Sequence, residues 1–469
     1  MIYERSLCWL RRDLRLTDNR ALFLACEKSK QVFLAFVFDI NILNKLSNKK
    51  DLRVEFIFNA IQSINQKLKE QNSQVLILYG NPVELIPALC KKLKLSAVFV
   101  NEDYENYAKQ RDQAIKKQLI RQQTAFHSSK DQVIFNGSEI KKEDGSSYRV
   151  FTAYKKAWLK KLKPKEHLKE YRANLQKLSS TKNNRQKKWK LEDLGFQKTE
   201  LNISSGEKSA QIQLKKFSQS IRQYHTNRDY PYLNKSSRLS VPLRFGALSI
   251  RECVRFALKQ KSRGNEVWLA ELIWREFYSM ILDQFPYVEK KAFLKKYQNL
   301  KWSYSKKRFQ AWCKGQTGFP IVDAGMRQLN QTGFMPNRIR MITASFLVKD
   351  LLIDWRKGEK YFAEKLLDFD LAANNGGWQW CAGVGCEAQP YFRIFNPITQ
   401  SQKFDPKGAY IKSWVKELKN LNEKAVHFPM TCPTELPKGF QLGKNYPFPL
   451  VDHKTQRQKA LKFFKKAEK

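Results

Sequence analysis

Short apolar runs alternate with helical periodicity over the first part of the chain. Ser6–Leu10, Val32–Phe38, Val75–Tyr79 and Ala97–Asn101 are strand-length and apolar or aromatic. Between them, Asp18–Lys30, Val54–Gln71 and Pro82–Lys94 repeat apolar positions at spacings of three and four, which predicts helices. Thr17 or Asp18 can cap the first, and Pro82 suits the first turn of the third. This alternation predicts a parallel sheet with helices on both faces, an α/β Rossmann-like domain over 1–125. No G-x-G-x-x-G follows the first strand, so a dinucleotide fingerprint is missing. From 126 to 200 the pattern weakens into a connector, with Lys141–Ser147 and Ser179–Lys190 polar and helix expected around Phe151–Leu162. Beyond it helical periodicity dominates, in Val267–Phe285, Ile321–Gln331, Asn337–Trp355, Tyr361–Leu367 and Tyr410–Leu418. A larger all-helical domain is therefore expected over 201–469. Lys454–Lys469 reads as a basic, helix-like, solvated end.

Composition adds a partner and a compartment. At 469 residues the chain exceeds the size at which one core usually stops growing. Lys and Arg number 87 against 44 Asp and Glu, a formal charge of +43. Such an excess implies a polyanionic partner, most simply nucleic acid. A solvated surface with a general lysine bias gives the same count. The eight cysteines show no C-x-x-C spacing, as expected of reduced thiols in a cytoplasmic protein. The five histidines do not cluster, which argues against zinc. The first residues carry charge where a signal peptide needs an apolar core, and Val32–Phe38 is too short to span a bilayer. No membrane partner is expected.

Several segments of the helical part carry candidate chemistry. In DFDLAANNGGWQWCAGVGCEAQPYFRIFNP, Asp368 to Pro397, two amides (Asn374, Asn375), a Gly-Gly step and two tryptophans (Trp378, Trp380) fall within seven residues. Buried amides need hydrogen-bond partners, and glycine lets a backbone approach a ligand closely. The stretch suggests a pocket for a large polar heteroaromatic cofactor; a buried turn is the plainer alternative. SSRLSVPLRFGALS, Ser236 to Ser249, opens with three hydroxyls (Ser236, Ser237, Ser240) and the Arg238 guanidinium in five residues, suited to a pyrophosphate or to an ordinary cap on a helix starting near Ser249. In WLAELIWREFYSMIL, Trp268, Glu271, Trp274 and Arg275 recur at helical spacings, so one face presents indoles, a carboxylate and a guanidinium. In GFMPNRIRMITASFLVKDLLIDWR, Arg338 and Arg340 open a helix against its dipole. That placement calls for anions, either phosphates or the carboxylates of Asp368 and Asp370.

Together with WLRRDLRLTDNRAL (Trp9–Leu22) and GQTGFPIVDAGMRQL (Gly315–Leu329), these segments resemble the photolyase/cryptochrome family, and most closely its bacterial class I cyclobutane pyrimidine dimer photolyases. The resemblance spans nearly the whole chain and is densest from Gln211 to Glu417. It implies an N-terminal α/β antenna-binding domain and a helical domain that binds FAD. Tyr224, Ser236, Ser237, Arg238, Leu239, Ser240, Trp268, Arg275, Asn337, Arg340, Asp368, Asp370 and Asn374 would line the flavin cofactor. Arg340 would pair with Asp368, and Asn374 would face flavin N5. Glu271, Trp274, Asn337, Arg338, Met341 and Trp380 would meet UV-damaged DNA. Trp302, Trp355 and Trp378 match the family's electron relay, a role compatible with core packing.

The implied reaction is light-driven electron transfer from reduced FAD to a flipped-out dimer, without net redox change. A cryptochrome-like blue-light photosensor and a (6-4) photolyase are the alternatives, and a monomer is expected. Two departures stand out. Pro336 replaces the family's usual histidine in Phe334–Arg338, and Cys381 and Cys386 replace small or hydroxyl residues. The antenna is left open among methenyltetrahydrofolate, a deazaflavin and none at all, because Tyr107–Ala108 stands where folate-binding members carry Asn-Glu.

Overall fold

The computed structural model describes residues 2–180, 187–388 and 390–467. Part of the polar run Ser179–Lys190 and the last two residues of the tail lie outside them. The chain divides into two compact units, one of 1–148, 152–221 and 237–284, the other of 149–151, 222–236 and 285–469.

The first unit is built on a five-stranded, wholly parallel sheet. Its strands are β1 (Tyr3–Leu10), β2 (Ser29–Asp39), β3 (Val75–Gly80), β4 (Ala97–Asn101) and β5 (Ala125–Ser129), in the order β3-β2-β1-β4-β5. The order reverses direction at β1, so successive crossovers place helices on both faces. One face buries Leu7, Trp9, Phe33, Ala35, Leu76, Val98 and Val100 against Ile86 and Cys90 of the helix Pro82–Leu93 and Ile115 and Leu119 of Asn106–Arg121. The helix Arg20–Lys28 is capped at Asn19, one residue after Asp18 and two after Thr17. Asn19 caps it by accepting from Leu22 N, while Asp18 adopts φ +51°. β5 and the helix Asn106–Arg121 have no counterpart in the sequence expectation.

Asp18 is instead part of a buried charge network. Arg251 donates from Nε to Asp18 at 2.8 Å and from Nη2 to Asp131 at 2.6 Å, and Arg15 meets the other Asp131 oxygen at 2.6 Å. Burial opposes ionisation of Asp131, but the two guanidiniums outweigh it and hold its carboxyl below the usual range. The stretch after β5 is also anchored: Glu276 accepts from Ile134 N, Phe135 N and Trp158 Nε1. Burial of that carboxyl pushes it up to about 7. Gly246 is needed at a close approach. Its φ is +63°, and a Cβ there would stand 2.0 Å from the Arg12 carbonyl oxygen.

The second unit is helical around one large apolar core. The run expected as a single helix, Asn337–Trp355, is three pieces: a helix over Asn337–Ser345, a π-helical turn over Phe346–Asp350, and a new helix, Trp355–Lys365, that contains most of the segment Tyr361–Leu367. Leu352, at φ +54°, turns the chain between them. The helix His453–Lys466 is not a solvated end, because Phe464 is buried in this core and Ala460 is buried as well. Asp368–Pro397 is not a turn either: Leu371–Ala382 within it is helical.

Candidate flavin and DNA site

Within the first unit, the helix Arg263–Gln284 carries the expected face. Glu271, Trp274, Arg275 and Tyr278 form its half-buried stripe, with Trp274 against Phe277 and Tyr278 at 5.6 and 5.4 Å between centroids. Arg275 is held by donating to Gln132 O at 2.7 Å. Trp268 lies deeper, 2% exposed and packed on Phe217 and Phe256. Ser237 to Ser240 lead into the helix Ser240–Phe245, with Arg238 at φ +53°. A non-glycine residue in that conformation is strained, and such strain concentrates at ligand sites. Gln213 Nε2 donates to Ser237 O at 3.0 Å, and Leu239 is buried. Ser249 caps the helix Ile250–Leu258 as the plainer reading expected, and the Ser237 hydroxyl accepts from Leu239 N at 3.4 Å.

The remaining candidates belong to the second unit. Tyr224 opens a short helix, is 8% exposed, and has the Arg228 guanidinium 5.6 Å from its ring. Both arginines of the helix Asn337–Ser345 have carboxylate partners. Arg340 Nη2 spans the two oxygens of Asp368 at 2.8 and 3.0 Å, and its Nε donates to Met335 O. Arg338 pairs with Asp229 at 2.8 Å and lies 4.2 Å over Phe404. Asp229 went unnoticed in the sequence, and only its DY-P context marks it. Asp370 takes a different role, capping Leu371–Ala382 by accepting from Ala373 N. Pro336 does no damage: it stands at the N-cap, where no N–H is required, and its carbonyl accepts from Ile339 and Arg340. Asn337 is exposed and donates to Met341 Sδ, and the Cys381 thiol donates to the Met341 carbonyl oxygen.

The paired amides separate in role. Asn375 is 2% exposed and donates to Val288 O, which Gln379 also engages, so its partners are wholly structural. Asn374 donates from Nδ2 to Glu359 O at 3.1 Å, which fixes its amide and leaves Oδ1 as the acceptor it can offer. Glu359, missed in the sequence, has its carboxyl pushed up to about 7 by burial and by the charge of Glu289. The Gly-Gly step is mid-helix, and Gly377 faces open space.

Trp378 is 2% exposed, boxed by Phe362 and Trp312 at 4.9 and 6.1 Å, with its Nε1 buried and unpartnered. Trp355 is 1% exposed, Trp302 is part-exposed, and Trp380 is part-buried against the same core. A cavity of about 460 Å³ lies beside Arg338, lined also by Asp229, His225, Gln400, Lys403 and Phe404. Tyr107 is engaged internally, its hydroxyl donating to Asp39 at 2.5 Å, and Ala108 is buried. Burial, more than the Asp39 carboxylate, pushes the Tyr107 phenol up to about 12.

Similarity sets the class, that of FAD-binding proteins with DNA photolyase domains, and fixes the family. The FAD binding domain of DNA photolyase matches residues 268–466, and the DNA photolyase domain matches 6–173. A deoxyribodipyrimidine photo-lyase of Vibrio cholerae is 37% identical over 98% of this chain and 99% of its own length. One of Escherichia coli is 38% identical over 99% of each. The crystal structure of a bacterial class III photolyase from Agrobacterium tumefaciens superposes with a TM-score of 0.90 at 32% identity, covering 100% of this chain and 98% of its own. The chain belongs to the DNA photolyase family. Its fold is that family's, a parallel-sheet N-terminal part followed by a mostly helical remainder with an FAD-binding domain. Among the described residues no helix is long and apolar enough to cross a membrane.

Proposed function

We propose that the protein splits cyclobutane pyrimidine dimers in DNA, using light and a bound, reduced FAD. The carrying observation is the end-to-end similarity to proteins named deoxyribodipyrimidine photo-lyase. In this reading 1–125 is the antenna-binding domain and the chain from 201 onward is catalytic, with 126–200 between them. The protein works as a cytoplasmic monomer.

The donor set fits the cofactor. Ser236, Ser237, Arg238 and Ser240 supply hydroxyls and one guanidinium, on a backbone at φ +53° at Arg238, for its phosphates. Tyr224, Trp268, Arg275, Asn337, Asp370 and the Arg340–Asp368 pair are the other residues that would bind the cofactor, and Asn374 would offer Oδ1 to flavin N5. When bound, the flavin supplies the photoexcited electron. The protein excludes water, holds charge and grips the lesion. Glu271 hydrogen-bonds a carbonyl of the dimer, Trp274 and Trp380 wall the flipped bases, and Met341 is a polarisable contact. Arg338 exchanges Asp229 for a backbone phosphate, so binding weakens steeply with salt. Trp378, Trp355 and Trp302 carry electrons inward when the flavin must be reduced.

The test uses chemically reduced protein and an oligonucleotide with one thymine cyclobutane dimer. Intact thymines are counted after blue or near-UV light and in the dark. Light-dependent restoration is expected. Bound FAD without restoration would refute the reading.

A further inference from the structure

Lys349 lies in the π-helical turn Phe346–Asp350 and is 1% exposed. Among the described residues no carboxylate pairs with it, an expensive arrangement for a cation. Its Nζ donates to Ala382 O at 2.9 Å and stands 3.6 Å above the centre of the Phe464 ring. Phe464 is fully buried, and its ring meets Trp302 edge-on at 5.9 Å between centroids. Tyr297 and Tyr391 close the cluster, each 5.8 Å from Phe464. The amino group is therefore within about 9.5 Å of the Trp302 indole, across an aromatic gap of low polarity.

The titratable groups around it are few. Cys381 approaches from the helix Leu371–Ala382, Asp350 is next in the chain, and His453 opens the C-terminal helix, with Nδ1 2.5 Å from Asp350 Oδ1. Burial pulls Lys349 down to about 7, so ammonium and amine are both populated near neutral pH. Burial pushes the Cys381 thiol up to about 12, which keeps it neutral there.

We propose that Lys349 is a positioning residue of the electron relay: its charge, acting across Phe464, drives the indole proton off Trp302 once that ring has lost an electron. The proposal rests on the relay reading of Trp302, Trp355 and Trp378. In the step, one electron leaves Trp302 inward, toward the photoexcited flavin. The indolyl radical cation left behind releases its N–H proton to water at its part-exposed edge. A neutral radical remains until an external thiol returns an electron and a proton. A positive neighbour repels the radical cation and is indifferent to the neutral radical, so it favours proton loss. At this separation and an effective dielectric of about 20, the repulsion amounts to roughly tenfold in the dissociation constant. Once the proton has gone, the electron can return only with another proton, which prolongs the separated charge.

Flash photolysis of the flavin-loaded full chain tests this by following the radical cation and its neutral successor. Lys349→Met should slow proton loss about threefold or more, while Lys349→Arg stays near the wild-type rate. In the wild type the rate should fall as pH rises through about 7, and that inflection should vanish in Lys349→Met. An inflection that survives belongs to His453 or Asp350 and overturns the proposal, as does a wild-type rate in Lys349→Met. Trp302→Phe, run alongside, separates two failures. If it leaves the radical signal intact, the relay reading falls and the proposal with it. If it abolishes the signal while Lys349→Met matches wild type, the role of Lys349 alone falls. Should Lys349→Met not fold, the wild-type pH profile decides, and a rate flat across neutrality overturns the proposal.

Discussion

Gly358 offers a direct way to displace one tryptophan without touching it. The residue is buried in the helix Trp355–Lys365, one residue before Glu359. A Cβ there would stand 2.1 Å from Trp378 Cη2 and 2.5 Å from Leu347 Cδ2. Ordinary carbon contacts need about 3.5 Å or more, so Gly358→Ala requires the indole to retreat by about 1.5 Å. Phe362 and Trp312 stand against the ring and oppose the retreat. Overpacking of this kind costs about 1–3 kcal/mol, while alanine for glycine in a helix interior returns about 0.5–1 kcal/mol. The net expectation is a loss of about 1 kcal/mol, read from the urea midpoint at unchanged slope. Photoreduction should slow, because the relay indole is displaced from its packed position. Repair by chemically reduced protein should hold, because that reaction does not draw on the relay. A variant more stable by the full helical gain, with wild-type photoreduction, would refute the packing of Trp378 against this helix.

Further predictions address the relay, the flavin contact and the fold. Trp302→Phe should slow photoreduction in vitro and spare repair by pre-reduced protein; if repair also collapses, Trp302 is structural or touches substrate. Asn374→Asp should change which reduced form of the bound flavin is stable, and an unaltered photoreduction spectrum would count against its contact with N5. Asp131→Asn leaves Arg15 and Arg251 buried without their shared carboxylate and should cost about 3–5 kcal/mol in urea unfolding; less than about 1 kcal/mol would show the network to be dispensable. Because the folded Asp131 carboxyl is held below the usual range, its stabilisation is present above the unfolded value near 4 and is lost as pH falls through the folded one, so variant and wild type should converge in strong acid.

The strands of the first unit were legible because each is a short apolar run between capped helices. β5 was not: AFHSS is half polar and edges the sheet, so only its pairing with β4 makes it a strand. The helix Asn106–Arg121 escaped notice because its buried stripe is only Ala108, Ile115 and Leu119 in an otherwise polar segment. Asn337–Trp355 reads as one helix by periodicity, which hides the π-helical turn. The one signal is Lys-Asp inside the apolar run ITASFLVKDLLIDW, where burial forces both side chains to find unusual partners.

The candidate site shows the same division between pattern and partner. The arginine pair at a helix start correctly called for anions, yet the sequence could not assign Asp229 to Arg338, because the two are 109 positions apart. Leu371–Ala382 shows how far tertiary contacts can override local preference. Asn-Asn-Gly-Gly is among the poorer runs for a helix, by on the order of 0.5–1 kcal/mol per residue relative to alanine. The segment is helical because Asp370 caps its start and because Asn375 and Gln379, one turn apart, bind the same Val288 carbonyl from one face. That leaves Asn374 on an adjacent face, its nitrogen tied to Glu359 O. The amide pair that looked like one ligand-binding feature is thus two devices. The second amide anchors the helix, and that anchoring fixes the direction in which the first can point.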